Sequence, residues 1–252
     1  MIHYHGGPIT PTSAALNAWT AGHAMISFAH AEQLPLAAEV CQSFALDNGA
    51  YSIWRASGGK IDLDEFDKWI WKWINHPSLD FFLIPDIIDG SEMQNDALIA
   101  RYYTVTPYKF HATPVWHLHE SIDRLIRLAK MFKRVALGSS GKYSEPGNSD
   151  WWNRMAEAMR AICDGSGQPW CKLHGLRMLD PTIFSHLPLA SADSCNIARN
   201  IGIDSKWSGT YVENMTKETR AMVMRKRIEA HGSATRWNCE SAGVQMNFQL
   251  MG

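Results

Sequence analysis

Short apolar runs alternate with helical patterns along most of the chain. Eight runs have the length and composition of buried strands, at residues 1–6, 24–29, 44–51, 81–86, 114–119, 134–140, 171–176 and 189–194. Three segments between them have strong helical spacing and open on a Ser or Asp that can cap a helix, at 62–74, 121–132 and 150–162. Shorter helices are predicted at 10–19, 34–41 and 180–187.

This alternation predicts parallel strands joined by right-handed crossovers. Eight such units close naturally into a (β/α)8 TIM-type barrel, so an α/β barrel is the expected fold class. An open doubly wound sheet is the rival, but the chain contains neither GxGxxG nor GxxxxGK[ST]. The predicted organisation is a barrel core at 1–194 and a helical C-terminal segment at 195–252 that packs on it.

Composition agrees with a large globular core. Of the 252 residues, 46% are hydrophobic and 19% are charged. No run approaches 18 apolar residues, and the start "MIHYHGGPI" lacks the features of a secretory signal, so we expect no membrane contact and a cytoplasmic location.

None of the cysteines forms a CxC or CxxC pair, which predicts no cysteine zinc site; they are Cys41, Cys163, Cys171, Cys195 and Cys239. No cofactor or metal is predicted.

Charge is balanced overall but uneven along the chain. The net charge is −1, which provides no global attraction for nucleic acid. Residues 217–236 contain six basic and two acidic side chains, a local net charge of +4. A solvated helix face and a contact with a polyanion both explain this segment.

Polar residues recur where the apolar runs end. The active site of an α/β barrel forms at the carboxyl ends of its strands, so these side chains are expected to converge. They are His3, His5, His30, Asp47, Asp86, His117, His119, Ser139, Ser140, His174 and Asp193.

Three functions are compatible with this set. The spacing of His3 and His5, with Asp193 on the last strand, is typical of a metal-dependent hydrolase of the amidohydrolase type. Two carboxylates without metal suit a retaining glycosyl transfer, in which one attacks an anomeric carbon and the other carries protons. A barrel that binds a modified base or nucleic acid without turnover is the third alternative.

The order of motifs resembles that of tRNA-guanine transglycosylases and their DNA-acting 7-deazaguanine relatives, in particular compact members encoded by bacteriophages. The segments that carry the resemblance are "LDNGAY" (46–51), "IPDIIDG" (84–90), "PVWHLHES" (114–121), "VALGSSGKY" (135–143), "KLHGLRMLDP" (172–181) and "SADSCNIARNIG" (191–202). Three features depart from the family: its zinc site after the barrel is missing, the chain is much shorter than the cellular enzymes, and His117 stands where a glutamine reads the base.

The resemblance implies a barrel enzyme that exchanges guanine for a 7-deazaguanine base. Asp193 would be the nucleophile, with a helix cap as the alternative role, and Asp47 the general acid and base. The expected base-binding residues are Asp86, His117, Gly138, Ser139, His174 and Tyr51, with Asp89 competing for the role of Asp86. Arg199, Arg225, Lys226 and Arg227 are the expected contacts to nucleic acid. The partners would be DNA or tRNA and a free base, in the host cytoplasm if the protein is phage-encoded.

Overall fold

Parallel strands form the framework of the molecule. The structure is a computed structural model and describes residues 1–105, 107–210 and 214–238, except for the side chain of Ser57. Nine strands in this part of the chain form one sheet in the order β5-β4-β3-β2-β1-β9-β8-β7-β6. They are β1 (Ile2–Gly6), β2 (His23–Ser27), β3 (Ser43–Asp47), β4 (Leu79–Leu83), β5 (Ala112–Thr113), β6 (Val115–His117), β7 (Arg134–Gly138), β8 (Lys172–Gly175) and β9 (Ser191–Ser194). The predicted α/β fold of the TIM-barrel class is confirmed.

Helices follow the strands in the expected alternation. They are α1 (Thr12–Trp19), α2 (Leu34–Val40), α3 (Ala50–Ser57), α4 (Leu63–Trp73), α5 (Glu92–Tyr103), α6 (Ile122–Met131), α7 (Ser149–Ile162), α8 (Pro181–Phe184), α9 (Asn196–Asn200) and α10 (Lys217–Glu229). Short 3-10 segments lie at Phe28–Gln33, Tyr108–Phe110, Gly141–Tyr143 and Asp204–Lys206. Among the described residues, no helix combines the length and apolar character needed to cross a membrane.

Several predicted strands differ in their bounds from the observed ones, and two of them differ in more than their bounds. The run at 114–119 gives only β6, and the separate two-residue β5 precedes it, because Pro114 between them has no N–H for a sheet hydrogen bond. The run at 44–51 ends as a strand at Asp47, and helix α3 begins at Ala50. Helix α5 was not predicted, although Ser91 and Gln94 form a capping box at its start.

Contacts divide the chain into two compact units. The first comprises residues 1–2, 114–192 and, in the described part, 231–238. Its interior contains the fully buried side chains of Trp116 and Trp151. The guanidinium group of Arg154 lies 5.6 Å from the ring centre of Trp116, so the indole also helps to position this cation.

The second unit comprises residues 3–113 and 193–230. Helix α10 packs on helix α1 in this unit, where the Ser13 hydroxyl donates to the Glu218 carboxylate at 2.6 Å. At the other end of α10, Glu229 lies 3.1 Å from Nε2 of the buried His5 on β1. The described part of the predicted C-terminal segment contains helices α9 and α10, and residues 239–252, including Cys239, lie outside the described residues.

Candidate active site

A tightly built turn follows strand β3 and fixes the position of Asp47. The side-chain amide of Asn48 donates a hydrogen bond of 2.7 Å to the carboxylate of Asp86. Gly49 has a φ of 75°, and a Cβ at this position would lie 2.9 Å from the backbone nitrogen of Ala29. Glycine adopts this left-handed conformation without strain, and because it has no side chain it allows the backbone of Ala29 to come close. The Asp-Asn-Gly sequence thus forms a turn after β3, and Asn48 of this turn binds the carboxylate of Asp86.

The carboxyl group of Asp47 holds its proton unusually strongly. Its pKa is raised from 3.8 to about 7. The largest cause is burial, because the partly buried carboxylate loses hydration that would stabilise its charge. The negative charge of Asp193 is the second cause, and Asp86 adds a smaller effect. The Ser27 hydroxyl and the Gly49 N–H lower the pKa but offset only part of the increase. Asp47 can therefore donate or accept a proton near neutral pH.

Asp193 lies close to the carboxyl end of strand β9 and is 8% exposed. Asp193 and Asp47 belong to the same unit, and the charge of Asp193 raises the pKa of Asp47. The alternative prediction that Asp193 caps helix α9 is wrong, because the N-cap residue is Cys195. Gly6 ends strand β1 beside this segment, and a Cβ there would lie 3.2 Å from the carbonyl oxygen of Ser194. A side chain at Gly6 would push against the end of β9.

Asp86 connects the carboxylate pair with a cavity of about 160 Å³. Asp89 lines the same cavity, but the hydrogen bond from Asn48 ties Asp86 to the turn that carries the proton donor. Trp54 of helix α3 forms another wall, and the ring centre of Tyr51 lies 6.3 Å from that of Trp54. Tyr51 is 42% exposed and can be reached by a planar ligand.

His117 and Gly138 lie in the first unit and contact each other. His117 is 5% exposed at the end of β6, and a Cβ on Gly138 would lie 2.7 Å from its Nδ1 atom. The absence of a side chain at Gly138 therefore makes room for the imidazole. The rings of His117 and His119 stack with their centres 5.7 Å apart. The shared pocket predicted for these residues and Asp47 stays a prediction.

The side chains of Ser139 and His174 have partners within the protein. The hydroxyl of Ser139 accepts a hydrogen bond of 2.9 Å from the indole of Trp151, and the predicted contact of the Ser139 backbone N–H with a base stays a prediction. His174 is completely buried, with Nδ1 2.9 Å from the hydroxyl of Ser191. A base would have to displace protein atoms to reach His174, so we assign it a structural role instead of the predicted base contact.

The predicted nucleic-acid contacts separate into exposed and anchored residues. Arg199, Lys226 and Arg227 are exposed, as the prediction requires. The Arg225 side chain is 17% exposed, donates from Nε to Glu229 at 3.0 Å and from Nη1 to the Thr20 carbonyl oxygen at 2.8 Å. These bonds hold Arg225 against α10 and the end of α1, and its predicted contact with nucleic acid stays a prediction.

The histidine pairs do not form a metal site in the described residues. His5 faces Glu229 on helix α10, and His117 stacks on His119. No group of three or more His, Cys, Asp or Glu side chains there has the arrangement of a metal centre. The donor set expected for the hydrolase alternative is thus not assembled in this part of the chain.

Sequence comparison leaves the family open. No family model matches the chain, and no curated protein matches it significantly. A similar solved structure is a mutant tryptophan synthase alpha-subunit from the hyperthermophile Pyrococcus furiosus, with a TM-score of 0.51 and 13% identity. The match covers 91% of this chain and 96% of that chain. At this identity the likeness supports the TIM-barrel fold and nothing finer.

Ser27 and Asn48 belong to the site, although the sequence patterns assigned them no role. Asn48 donates to Asp86, and the Ser27 hydroxyl lowers the pKa of Asp47. Ser27 is the last residue of β2. Ser27 is thus a polar residue at the end of an apolar run, which is the pattern used to select the other site residues. It was missed because the strand was predicted to end at residue 29, which made His30 the candidate instead.

Proposed function

We propose that the protein is a base-exchanging glycosyltransferase that replaces guanine in a nucleic acid by a 7-deazaguanine-type base. The observation that carries this proposal is a carboxyl group with a raised pKa, Asp47, that feels the charge of a second carboxylate, Asp193. The pKa of Asp47 is raised to about 7, partly by the charge of Asp193. A proton carrier beside an anionic carboxylate is the arrangement that retaining glycosyl transfer requires.

In the first step, a carboxylate oxygen of Asp193 attacks C1′ of the nucleotide as the bond from C1′ to the guanine nitrogen breaks. Asp47 gives its proton to the departing base, and the sugar is held as an ester of Asp193. In the second step, a nitrogen of the incoming base attacks C1′, Asp47 takes the proton from that nitrogen, and Asp193 leaves as a carboxylate. Both steps pass through oxocarbenium-like transition states, and no cofactor is consumed.

The surroundings of Asp86 support binding of a purine-type base. The carboxylate of Asp86 can accept hydrogen bonds from the N–H groups at the amide edge of guanine. Tyr51 and Trp54 expose aromatic rings near this carboxylate. An aromatic wall beside a hydrogen-bond acceptor suits a flat heterocycle.

Label exchange tests the proposal. The protein is incubated with radiolabelled guanine and, separately, with tRNA or with double- or single-stranded DNA, and label in the recovered nucleic acid is counted. We expect incorporation into at least one acceptor and a covalent protein–nucleic acid adduct that survives denaturation. Binding of nucleic acid without incorporation or adduct would favour the non-catalytic alternative. Base release that depends on added metal would favour a hydrolase.

A further inference from the structure

An open groove of about 570 Å³ lies in the first unit, at the amino ends of strands β7 and β8. We call it the Trp170 groove; its walls include Lys133, Trp170, Lys172, Leu189 and Thr235. Lys133 precedes β7 and Lys172 begins β8, whereas His117 and Gly138 lie at the opposite, carboxyl ends of strands in the same unit. The groove is therefore separate from the strand ends at which barrel active sites form.

The exposed tryptophan of this groove sits on a firmly held loop. Trp170 is 46% exposed, and its backbone N–H donates to the Ile162 carbonyl oxygen at 3.0 Å. The backbone N–H of Trp237 donates to the Gly167 carbonyl oxygen at 2.8 Å. Gly167 has a φ of 83°, and a Cβ there would lie 2.3 Å from the Trp237 carbonyl oxygen. The loop is thus preorganised, and it presents the indole to solvent in a fixed position.

Positive charge surrounds the indole. The ammonium nitrogen of Lys130 lies 5.5 Å from the ring centre of Trp170, and Lys130, Lys133 and Lys172 are all exposed. Among the residues that the structure describes, no Asp or Glu lines the groove. The nearby Asp164 accepts hydrogen bonds from Ser166, including one of 2.7 Å from its hydroxyl, within its own turn. The groove therefore has a local excess of cations, although the whole chain has a net charge of −1.

We propose that the Trp170 groove binds a single-stranded segment of nucleic acid. A base would stack on the exposed indole, and the phosphates beside it would lie near Lys133 and Lys172. An aromatic platform within a positively charged groove is the combination by which proteins hold single strands without reading their sequence. An acidic peptide would use the same cations but would gain little from the indole, so the tryptophan favours nucleic acid.

The site can be tested by binding alone, so it stands or falls separately from the proposed chemistry. The measurement is fluorescence anisotropy of a labelled oligothymidylate of about 12 nucleotides, titrated at several salt concentrations. Trp170→Ala should raise Kd by about 5- to 150-fold, the usual loss of one base–aromatic stack. The Lys133→Gln, Lys172→Gln double variant should weaken binding and reduce the salt dependence by about 0.7 per lost phosphate contact.

A matched control comes from helix α4, where Trp71 is 59% exposed and Lys72 is also exposed. The Trp71→Ala, Lys72→Gln variant removes the same chemistry elsewhere and should leave Kd unchanged. Circular dichroism and the melting temperature confirm that each variant folds. Unchanged binding in both groove variants would overturn the proposal, as would an equal loss in the control. Stronger competition by polyglutamate than by unlabelled oligothymidylate would also overturn it.

The binding and exchange measurements together distinguish failure of the groove proposal from failure of the proposed exchange activity. If the wild-type protein binds the strand through the groove but incorporates no label, the groove is retained and the transglycosylase proposal fails. If exchange occurs and neither groove variant alters binding, the groove proposal fails and the chemistry is retained.

Discussion

Two acidic side chains in the two units have opposite electrostatic surroundings. Glu120 is 3% exposed, and its carboxylate lies 2.5 Å from the guanidinium of Arg124, which is also buried. The same carboxylate accepts the backbone N–H of His117 at 2.8 Å. Asp47 instead has its charge opposed by Asp193 and Asp86. One carboxylate is neutralised by a cation, and the other becomes more costly to ionise because of its neighbours.

The difference separates a structural role from a chemical one. A buried ion pair holds a helix start and a strand end together. A carboxyl group whose ionisation is opposed by burial and by like charges is poised between two protonation states near neutral pH, which is the property of a proton carrier. The four predictions below test this distinction, from the largest expected effect to the smallest.

Asp193→Asn should abolish base exchange. The substitution keeps the shape of the side chain but removes the attacking oxygen anion, so we expect exchange to fall by about 10⁴-fold or more and the covalent adduct to disappear. Binding of nucleic acid, measured by anisotropy, should persist. Exchange of labelled guanine at the wild-type rate by this variant would show that Asp193 is not the nucleophile.

Asp47→Asn should slow exchange by about 10²–10⁴-fold, the usual contribution of a placed acid or base. The wild-type rate should depend on a group with a pKa of about 7, and this dependence should be lost in the variant because amides do not titrate there. Asp164→Asn, on an exposed turn of the other unit, is the control and should leave the rate unchanged. A variant that keeps both the rate and its pH dependence would assign the proton transfer to another residue.

The sequence predicted the fold better than it predicted the site. Alternating apolar runs and helical spacing determine a parallel α/β sheet, because each burial pattern is read directly from local residues. Asp47 and Asp193 were found in the same way, as polar residues at the ends of buried strands. The motif order around them gave a hypothesis for their chemistry that the comparisons leave untested.

The remaining features depend on contacts between distant residues. Nothing in the local sequence shows that His174 meets Ser191, or that Arg225 bonds to Thr20 instead of solvent. The boundary of β3 was misplaced because "NGAY" reads as the end of a strand, whereas the left-handed Gly49 starts helix α3. Side-chain orientation and turn geometry, which require the folded structure, decide these cases.

Arg124→Met tests the paired carboxylate. Removing the cation leaves Glu120 buried and unpaired, so we expect a loss of about 3–5 kcal/mol in the free energy of unfolding at neutral pH. Urea denaturation measures this loss. The double variant Glu120→Gln, Arg124→Met removes both charges and should recover part of it. A single variant as stable as the wild type would show that the pair contributes little and that the contrast with Asp47 is not electrostatic.

Asp47→Asn tests the unpaired carboxylate through stability. The unfolded chain releases the Asp47 proton near pH 3.8, whereas the folded protein keeps it until about pH 7. Between these values the folded state binds more protons than the unfolded state, so the contribution of Asp47 to stability falls as the pH rises. The variant lacks this penalty, and its free energy of unfolding relative to the wild type should increase by up to about 4 kcal/mol from pH 4 to pH 8. Urea denaturation of both proteins across this range measures the difference, and comparing the two cancels the titration of all other groups. A relative stability that is constant with pH would mean that Asp47 ionises as readily in the folded protein as in the unfolded chain, and it would lose its assignment as the proton carrier.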